Sequence, residues 1–564
     1  MYPSTLLRVE DLSVDFGLKE KLVKAVDRVS FVLAKGETLG IVGESGSGKS
    51  VSALSVIQLL PEAAKISSGR IFLKNDNNEA DLLQLKDKDL LRFRGKRISM
   101  IFQEPMTSLN PTMWCGKQVQ ETLLIHTKHS SKVAKEKVIR LFEEVLLPDP
   151  ERIFNAYPHE LSGGQKQRVM IAMAIACDPE ILIADEPTTA LDVTVQKAVL
   201  ATLKEIQKRR GMAMIFISHD LGLVSRIADR ILVMYKGKIV ESGKAADIFE
   251  RPRHNYTKAL LACRPKMDDN PERLPVIKVT DKGEAVVEIP QINSSANKTV
   301  EPAEEIVKTS SLVTSFTVKK NIFGKPVKKL NAVNNVSVAV FKGETLGLVG
   351  ESGSGKSTLG RTLLRLVEAE SGEIVFDNTQ LQKLSKEEMR KMRKRMQIIF
   401  QDPYSSLNPR LTIGEAIMEP MSVYKLHGSR AERRIITIEM LVKVGLTESH
   451  FNRYPHELSG GQRQRVNIAR ALAAEPEFII CDESVSALDV SVQAQILNLL
   501  NDLKREFNLT YIFISHDLAV VKYMSNRIMV MRNGQILEEG NAAEIYRNPK
   551  TDYTKSLISA AEGE

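Results

Sequence analysis

Two short stretches of this sequence combine glycines with a lysine and a serine, the residue types that bind phosphate. The eight residues GESGSGKS occupy positions 43–50 and recur unchanged at 350–357. Each follows an apolar run and precedes a predicted helix, so backbone N–H groups and the helix N-terminus would face phosphate oxygens. The predicted loop residues are Gly43, Gly46, Gly48, Lys49 and Ser50 in the first stretch and Gly350, Gly353, Gly355, Lys356 and Ser357 in the second.

The lysine and the serine of each loop have different expected roles. Lys49 and Lys356 would reach the terminal phosphates of a nucleotide. The hydroxyls of Ser50 and Ser357 would ligate Mg²⁺. The sequence therefore predicts two sites that bind a nucleotide together with Mg²⁺.

A pair of carboxylates follows an apolar run in each half of the chain. ILIADE ends in Asp185 and Glu186, and FIICDE ends in Asp482 and Glu483. Such runs suit central strands of a parallel sheet, and ligands bind at the carboxyl ends of those strands. We expect the aspartates to hold Mg²⁺ through water and the glutamates to orient or deprotonate an attacking water.

Four more polar residues follow apolar runs at matching places. Gln103 and Gln401 come after ISMIF and QIIF, where each would meet Mg²⁺ or the attacking water. His219 and His516 lie in two copies of ISHDL. A single histidine there would more often belong to the core, but the repetition favours contact with the terminal phosphate.

The segment LSGGQ, at 161–165 and 458–462, predicts a second kind of anion site. A serine N-cap and two glycines begin a helix, so backbone N–H groups and the helix dipole face an anion. The phosphate loop of the same copy would already hold one nucleotide, so a second anion site on that copy indicates a second nucleotide. The predicted residues are Ser162, Gly163, Gly164 and Gln165, and Ser459, Gly460, Gly461 and Gln462.

These segments recur in one order because the chain is a duplication. YPHELSGGQKQRV at 157–169 matches YPHELSGGQRQRV at 454–466. We expect one domain at 1–263, a polar flexible linker at 264–310 and a second domain at 311–564. A small hairpin within 278–289 is the alternative for the middle of that linker.

The composition argues against a membrane-spanning protein and against a metal site built from cysteines. The chain has 564 residues and a net charge of +9, which suggests a mild attraction to anionic surfaces. There is no run of about 18 apolar residues, so we expect no membrane span. The four cysteines are scattered, which favours a reducing compartment and argues against a cysteine metal site.

The order of phosphate loop, glutamine, LSGGQ, ILIADE and SHD resembles the nucleotide-binding domain of ABC ATPases, twice in one chain. The resemblance implies an α/β fold of two tandem P-loop ATPase domains. Each would have a mainly parallel core sheet, an antiparallel β subdomain and a helical subdomain. In that family two domains dimerise head to tail, and each ATP lies between one phosphate loop and the other domain's LSGGQ. One chain would then form an intramolecular pseudo-dimer with two composite sites for ATP and Mg²⁺.

The resemblance also assigns residues to each composite site. Site one would join Lys49, Ser50, Gln103, Asp185, Glu186 and His219 to Ser459, Gly461 and Gln462. Site two would join Lys356, Ser357, Gln401, Asp482, Glu483 and His516 to Ser162, Gly164 and Gln165. Asp192 and Asp489 match the loop that crosses between domains. Phe16 and Phe316 stand where this family stacks an aromatic ring on adenine.

Further segments resemble the ATPase subunits of oligopeptide, dipeptide, nickel and glutathione importers. They are FQxPxxSLNP at 102–111 and 400–409, and the tails RPRHNYTKALL at 251–261 and NPKTDYTKSLI at 548–558. The resemblance implies peptide import with two transmembrane permease subunits, seated near 106–110 and 404–408. It also implies an extracytoplasmic solute-binding protein as an indirect partner, and peripheral attachment to the cytoplasmic face of the inner membrane.

Other functions stay open at this point. Nickel, glutathione or another small solute would fit the same subunit type. Some fused ABC proteins act on ribosomes, but those have a long charged helical linker, and here the linker contains Pro and Ser. The basic run at 386–397 fits a solvated amphipathic helix, so we expect no nucleic-acid partner.

Overall fold

The computed structural model describes residues 5–18, 21–75, 78–103, 108–188, 192–265, 271–279, 285–288, 304–320, 326–486 and 488–562. The first copy contains β1 (Thr5–Leu18), β2 (Lys21–Ala34), β3 (Thr38–Val42), α1 (Lys49–Val56), β4 (Ala64–Asn75), β5 (Asn78–Asp81), α2 (Asp87–Leu90), β6 (Ile98–Ile101), α3 (Cys115–His126), α4 (Ser131–Glu144), α5 (Pro150–Phe154), α6 (Gly163–Ile175), β7 (Ile181–Asp185), α7 (Val193–Arg210), β8 (Ala213–Ser218), α8 (Leu221–Ile227), β9 (Arg230–Tyr235), β10 (Lys238–Lys244), α9 (Ala245–Glu250) and α10 (Asn255–Ala262).

The rest of the chain forms a hairpin and the second copy. These elements are β11 (Val276–Val279), β12 (Ala285–Glu288), β13 (Glu305–Lys320), β14 (Pro326–Val336), β15 (Ala339–Phe341), β16 (Thr345–Val349), α11 (Lys356–Leu363), β17 (Ser371–Phe376), β18 (Thr379–Gln380), α12 (Lys386–Arg395), β19 (Met396–Ile399), α13 (Ile413–Val423), α14 (Arg430–Lys443), α15 (Gly460–Leu472), β20 (Phe478–Asp482), α16 (Val490–Phe507), β21 (Thr510–Ile514), α17 (Leu518–Met524), β22 (Arg527–Arg532), β23 (Gln535–Asn541), α18 (Ala542–Arg547) and α19 (Asp552–Glu562).

Each copy has a mainly parallel core sheet of six strands. The first has the order β10-β9-β3-β8-β7-β6, and the second has β19-β20-β21-β16-β22-β23. Only the pairs β9–β10 and β22–β23 in these two sheets are antiparallel. The strand that precedes the phosphate loop is central in each sheet. In the first copy β3 lies between β8, which ends before His219, and β9. In the second copy β16 lies between β21, which ends before His516, and β22.

The central core strands, such as β7, are apolar throughout because both faces of the sheet are covered. Along β7, Ile181 and Ile183 pack with the antiparallel β subdomain, while Leu182 and Ala184 pack with the helices. All four side chains are fully buried. An uninterrupted apolar run is the pattern expected of a parallel strand between two layers.

An antiparallel subdomain and a helical subdomain complete each copy. The antiparallel sheets have the orders β2-β1-β4-β5 and β14-β13-β17-β18, and β15 also pairs with β13. Helices α3, α4 and α5 pack together and against α6, and α13 and α14 pack against α15 in the second copy. The predicted α/β architecture, with a parallel core sheet, an antiparallel subdomain and a helical subdomain in each copy, is confirmed.

The segment expected to be a flexible linker contains ordered structure. Strands β11 and β12 pair antiparallel, with Val276 opposite Glu288 and Val279 opposite Ala285. The hairpin packs against α10 of the first copy and α16 of the second. The flexible linker therefore does not extend over the whole of 264–310, because apolar residues of the hairpin are covered by both copies. The boundaries of the two domains stay a prediction.

Among the described residues, we find no helix with both the length and the apolar composition that a membrane crossing requires.

Candidate functional site

The phosphate loop of each copy has a shape that only glycine tolerates at two of its positions. Gly43 and Gly48 have φ of +155° and +99°, and their counterparts in the second copy have +152° and +106°. A Cβ atom at Gly43 would overlap the carbonyl oxygen of Met234, and one at Gly48 would overlap that of Ala25. The loop is thus packed tightly against neighbouring backbone, and α1 begins directly after it.

The lysine of each loop is folded back over the loop itself. Lys49 Nζ donates to the carbonyl oxygens of Gly43 at 2.7 Å and Glu44 at 2.9 Å. Lys356 makes the same two bonds in the second copy, also at 2.7 and 2.9 Å. Burial lowers the pKa of both lysines, and nearby carboxylates oppose that shift. The loop carbonyls therefore hold a buried ammonium group at the place where a phosphate would need it.

The loop serine and the strand aspartate contact each other in both copies. Ser50 Oγ donates to Asp185 Oδ1 at 3.0 Å, and Ser357 Oγ donates to Asp482 Oδ1 at 2.6 Å. Burial raises the pKa of Asp185 to about 6 and also raises that of Asp482. Asp482 Oδ2 is buried and has no hydrogen-bond partner among the described residues. Carboxylate and hydroxyl oxygens are ligands that Mg²⁺ prefers, so this donor set fits Mg²⁺ bound with a nucleotide.

The two glutamates have an unusual backbone conformation. Glu186 and Glu483 both have a φ of +47°, in the left-handed region that side chains other than glycine seldom adopt. Their N–H groups donate to the carbonyl oxygens of Ile217 and Ile514, both at 3.0 Å. Backbone strain of this kind persists where surrounding contacts enforce it, and it occurs often at functional sites.

A glutamine and a histidine lie beside each glutamate. In the first copy, Glu186 Oε2 accepts from Gln103 Nε2 at 3.2 Å and lies 3.2 Å from His219 Nδ1. In the second copy, Glu483 Oε2 accepts from Gln401 Nε2 at 2.8 Å and lies 3.7 Å from His516 Nδ1.

The electrostatics of this group favour a charged histidine beside a charged glutamate. Burial lowers the pKa of His219 and of His516, but the adjacent glutamate outweighs it, so both pKa values are raised. Burial raises the pKa of Glu483, but His516 and Lys356 outweigh it, so that pKa is lowered. In the second copy, these contacts therefore favour the anionic form of Glu483.

Each phosphate loop contacts the other copy. Ser45 Oγ donates to Asp489 Oδ1 at 3.1 Å, and Ser491 Oγ donates to the Glu44 carboxylate. In the opposite direction, the N–H of Ser352 donates to Asp192 Oδ2 at 3.4 Å. The two copies therefore face each other head to tail at their phosphate loops.

The LSGGQ segments begin α6 and α15 with reciprocal caps. Ser162 Oγ accepts from the N–H of Gln165, and the Gln165 side chain accepts from the N–H of Ser162. Ser459 and Gln462 repeat this capping box. Gly461 lies so close to Val492 Cγ1 that a Cβ atom there would overlap it. LSGGQ of the second copy thus lies beside the start of α16, where Val492 directly follows the Ser491 that touches the first phosphate loop.

The aromatic candidates lie on the antiparallel sheets. Phe16 is half-buried in β1, opposite Val23 on β2. Phe316 in β13 is 44% exposed and lies opposite Leu330 on β14. Adenine stacking by these two rings stays a prediction.

Part of the expected permease contact falls outside the described residues. Met106 and Thr107 lie there, and Ser108–Asn110 is described. In the second copy Tyr404 is 53% exposed, and the guanidinium of Arg463 lies 5.4 Å from the centre of its ring. An exposed aromatic ring next to the Gln401 segment is a feature that a partner helix could cover.

Two contacts at the sites were absent from the sequence predictions. The Arg361 guanidinium lies 3.7 Å from Asp482 Oδ2, and the first copy has Leu54 at the matching place. The Glu44–Ser491 contact joins the copies at one loop. The sequence signal for Arg361 is a charge that is present in one copy and replaced by Leu54 in the other. No pattern within either copy signals the contact between Glu44 and Ser491.

Comparison with known proteins agrees with this geometry. The family model described as "ABC transporter" matches residues 26–189 and 333–486. The model described as "Oligopeptide/dipeptide transporter, C-terminal region" matches residues 240–291.

Relatives of nearly the same length are also found. The chain is 46% identical to "Glutathione import ATP-binding protein GsiA" of Escherichia coli (strain K12), over 98% of this chain and 89% of that protein. It is 47% identical to the GsiA protein of Salmonella choleraesuis (strain SC-B67) over the same shares. A solved dimeric ABC transporter cassette, MJ0796, is 26% identical, covers 43% of this chain and 99% of its own, and gives a TM-score of 0.39.

The predictions of an ATPase and of a duplicated ABC domain are confirmed by these matches. Because the family model matches both copies and the relatives align along almost the whole sequence, the chain belongs to the ABC transporter family, as an ATP-hydrolysing protein with two ABC domains and the C-terminal region of oligopeptide and dipeptide transporters.

Proposed function

We propose that this chain hydrolyses ATP at two composite sites between its copies and so drives the import of small peptides, with glutathione as the first solute to test. The observation that carries the proposal is the reciprocal contact at the phosphate loops. Asp489 of the second copy accepts from Ser45 of the first, and Asp192 of the first accepts from Ser352 of the second.

The position of LSGGQ supports the composite character of each site. Gly461 lies against Val492 in the first turn of α16, and Asp489 and Ser491 at the start of that helix contact the phosphate loop of the first copy. Two segments with N–H groups available for an anion therefore come near each other from different copies. A nucleotide held by both would link the copies.

The side chains of each site have separate proposed roles in hydrolysis. Lys49 would contact the terminal phosphates, and Ser50 and Asp185 would hold Mg²⁺ with its waters. Bound Mg²⁺ would neutralise phosphate charge during the reaction. Glu186 would orient the attacking water and accept its proton, since its carboxylate is fixed by the strained backbone and by two neighbours.

Gln103 and His219 would position that carboxylate and the terminal phosphate. Both lie 3.2 Å from Glu186 Oε2. Lys356, Ser357, Asp482, Glu483, Gln401 and His516 have the same proposed roles in site two. The proposed adenine contacts are Phe16 and Phe316, and the proposed phosphate contacts from LSGGQ are Ser162, Gly163, Gly164 and Gln165, and Ser459, Gly460, Gly461 and Gln462.

Import requires partners that carry the solute across the membrane. We propose two transmembrane permease subunits that seat near 106–110 and 404–408, a solute-binding protein on the far side, and peripheral attachment to the cytoplasmic face of the inner membrane. Closing and reopening the head-to-tail copies would move the permease, because free energy is delivered by different contacts in the two states. The match to a peptide-transporter C-terminal region and the similarity to GsiA proteins support import of a small peptide.

Uptake by a deletion strain tests this proposal. The strain is assayed with labelled glutathione, dipeptides and oligopeptides, and complemented with the wild type or with Lys49→Ala plus Lys356→Ala. We expect uptake of at least one of these solutes to depend on the wild type and not to be restored by the double variant. Which solute responds identifies the substrate within the proposed class.

Three outcomes would overturn the proposal. Unimpaired uptake of all these solutes in the deletion strain would contradict peptide import, and a loss of nickel uptake alone would assign the metal instead. Co-purification with ribosomes and without any permease would contradict transport itself.

A further inference from the structure

Each copy ends in a helix whose tyrosine reaches its own phosphate loop. The N–H of Glu44 donates to Tyr256 Oη at 3.0 Å, and the N–H of Glu351 donates to Tyr553 Oη at 3.1 Å. Tyr256 lies in α10 and Tyr553 in α19, far along the chain from these loops. The same hydrogen bond between tail tyrosine and phosphate loop is therefore present in both copies, and a role for it should apply to both.

The residues next to each tyrosine are fixed to the core sheet. Glu241 on β10 accepts from the N–H groups of Arg253 at 2.7 Å and His254 at 3.0 Å, and from the Thr257 hydroxyl. Glu538 repeats this anchor in the second copy at 2.8 and 3.1 Å. The start of each tail helix is therefore anchored to the core sheet, which gives the tyrosine hydroxyl a fixed position.

The rings of the two tyrosines have different neighbours. Tyr256 is fully buried and packs on Tyr235, with ring centres 4.4 Å apart. At the matching place in the second copy, the guanidinium of Arg532 lies 4.6 Å from the centre of the Tyr553 ring. Burial raises the pKa of both tyrosines, so the hydroxyls stay protonated. The packing differs between copies but the bond to the loop does not, so the bond rather than the packing is the common feature.

Glu44 is the residue at which several parts of site one meet. Its N–H is held by Tyr256, its carbonyl oxygen accepts from Lys49, and its carboxylate accepts from Ser491 of the other copy. A shift of this peptide would move the ammonium group of Lys49 and loosen the contact between copies. The tyrosine thus acts on the nucleotide site through the loop backbone.

We propose that Tyr256 and Tyr553 are positioning residues of the ATPase, each holding its phosphate loop in the shape that receives a nucleotide. The inference rests on the proposed hydrolysis of ATP at these two sites. It gives the C-terminal tail of each copy a role in nucleotide binding. Neither tyrosine touches the nucleotide in this proposal.

The test compares ATP hydrolysis by the purified full-length wild type and by variants that lose one hydroxyl. The double variant Tyr256→Phe plus Tyr553→Phe keeps both rings. Losing a hydrogen bond to a partly buried N–H should raise the KM for ATP about threefold to tenfold, with kcat changed less than about twofold. Each single variant should show the weaker nucleotide binding at one site only, by titration with a fluorescent ATP analogue.

Tyr235→Phe is the matched control. The Tyr235 hydroxyl is buried with no hydrogen-bond partner among the described residues, and its ring packs on Tyr256. Its removal should leave the KM for ATP unchanged. A double variant whose KM equals that of the wild type would overturn the inference, even if its thermal stability falls, because that result describes a purely structural bond. A wild type that hydrolyses no ATP would instead contradict the proposed function.

Discussion

Glu186 and Glu483 lie at the same point of two duplicated domains, and both have a φ of +47°. Their surroundings are not the same. His219 lies 3.2 Å from its glutamate and His516 lies 3.7 Å away, while the glutamine is farther in the first copy, 3.2 Å against 2.8 Å. The backbone shape at the two glutamates is therefore the same, whereas the side-chain contacts around them have diverged.

Charges near the two Mg²⁺ candidates have also diverged. Arg361 lies near Asp482, and the uncharged Leu54 takes that place in the first copy. Asp192 accepts from the N–H of Val195 at the start of α7 and from the N–H of Ser352 in the other copy. Asp489 makes no such capping bond at the start of α16. One site therefore differs from the other in the charges that a bound cation would meet.

The segment that leads into the hairpin β11–β12 docks on the second copy through polar groups that the first copy lacks. Asn498 exchanges two hydrogen bonds with the backbone of Leu274, at 3.0 and 2.8 Å, and accepts from the Tyr523 hydroxyl at 2.9 Å. The matching positions of the first copy are Ala201 and Arg226. Divergence between the copies thus provides a specific place for the segment that joins them.

The largest expected effect tests whether both sites are needed. Glu186→Gln and Glu483→Gln should each preserve ATP binding and slow steady-state hydrolysis by about 10²–10⁴-fold, as expected for loss of a positioned general base. Turnover and nucleotide binding are measured on each single variant. If only one substitution slows turnover, the other site is dispensable and the copies differ in function as well as in contacts.

Much of the fold and of each site could be predicted from the sequence. The predicted residues follow apolar runs, and a parallel sheet brings the carboxyl ends of neighbouring strands to one edge. Asp185, Glu186 and His219 therefore had to lie close together once β7 and β8 paired. The repetition of each motif removed the chance that a single match was accidental.

The docking of the hairpin could not be predicted in the same way. Its strands have four residues each, and polar sequence surrounds them, which is the pattern of a linker. Its partners are polar residues on a helix more than two hundred positions later, such as Asn498. The bond from Tyr256 to the phosphate loop was missed for the same reason, since no local pattern reports where a tail crosses the domain.

An intermediate effect is expected when the second copy is made like the first at the hairpin. Asn498→Ala introduces the residue found at position 201 and leaves buried groups of Leu274 without partners. A loss of about 2 kcal/mol is expected for such groups, which should speed local hydrogen exchange within 271–279 about 30-fold. Hydrogen exchange with mass spectrometry measures this directly.

Asp502→Ala provides a graded comparison for that experiment. It removes the ion pair with Arg273, and the Asp502 side chain is 41% exposed, so solvent screens the interaction. Its effect on exchange within 271–279 should be smaller. Unchanged protection in Asn498→Ala would mean that apolar packing alone holds the hairpin, and the polar difference between the copies would have no role there.

The smallest expected effect concerns the charge that distinguishes the two Mg²⁺ candidates. Arg361 lies 3.7 Å from Asp482 Oδ2, but its side chain is 46% exposed, so its coupling is weak, about 0.2–1 kcal/mol. Arg361→Leu gives the second copy the residue of the first and removes a cation that competes with Mg²⁺. The Mg²⁺ concentration that half-saturates ATP binding should fall about twofold to fivefold at site two, and added salt should shrink the difference.

The reciprocal change, Leu54→Arg, sharpens this last test. It should raise the Mg²⁺ requirement of site one by a similar factor, because Asp185 would then face a competing cation. Both variants are studied with Glu186→Gln and Glu483→Gln present, so that turnover does not consume the nucleotide, and at pH 8, where Asp185, with a pKa of about 6, is ionised. If the two changes shift the requirement in the same direction, Arg361 acts through the structure of the loop rather than through its charge, since a charge effect must reverse sign when the charge is added instead of removed.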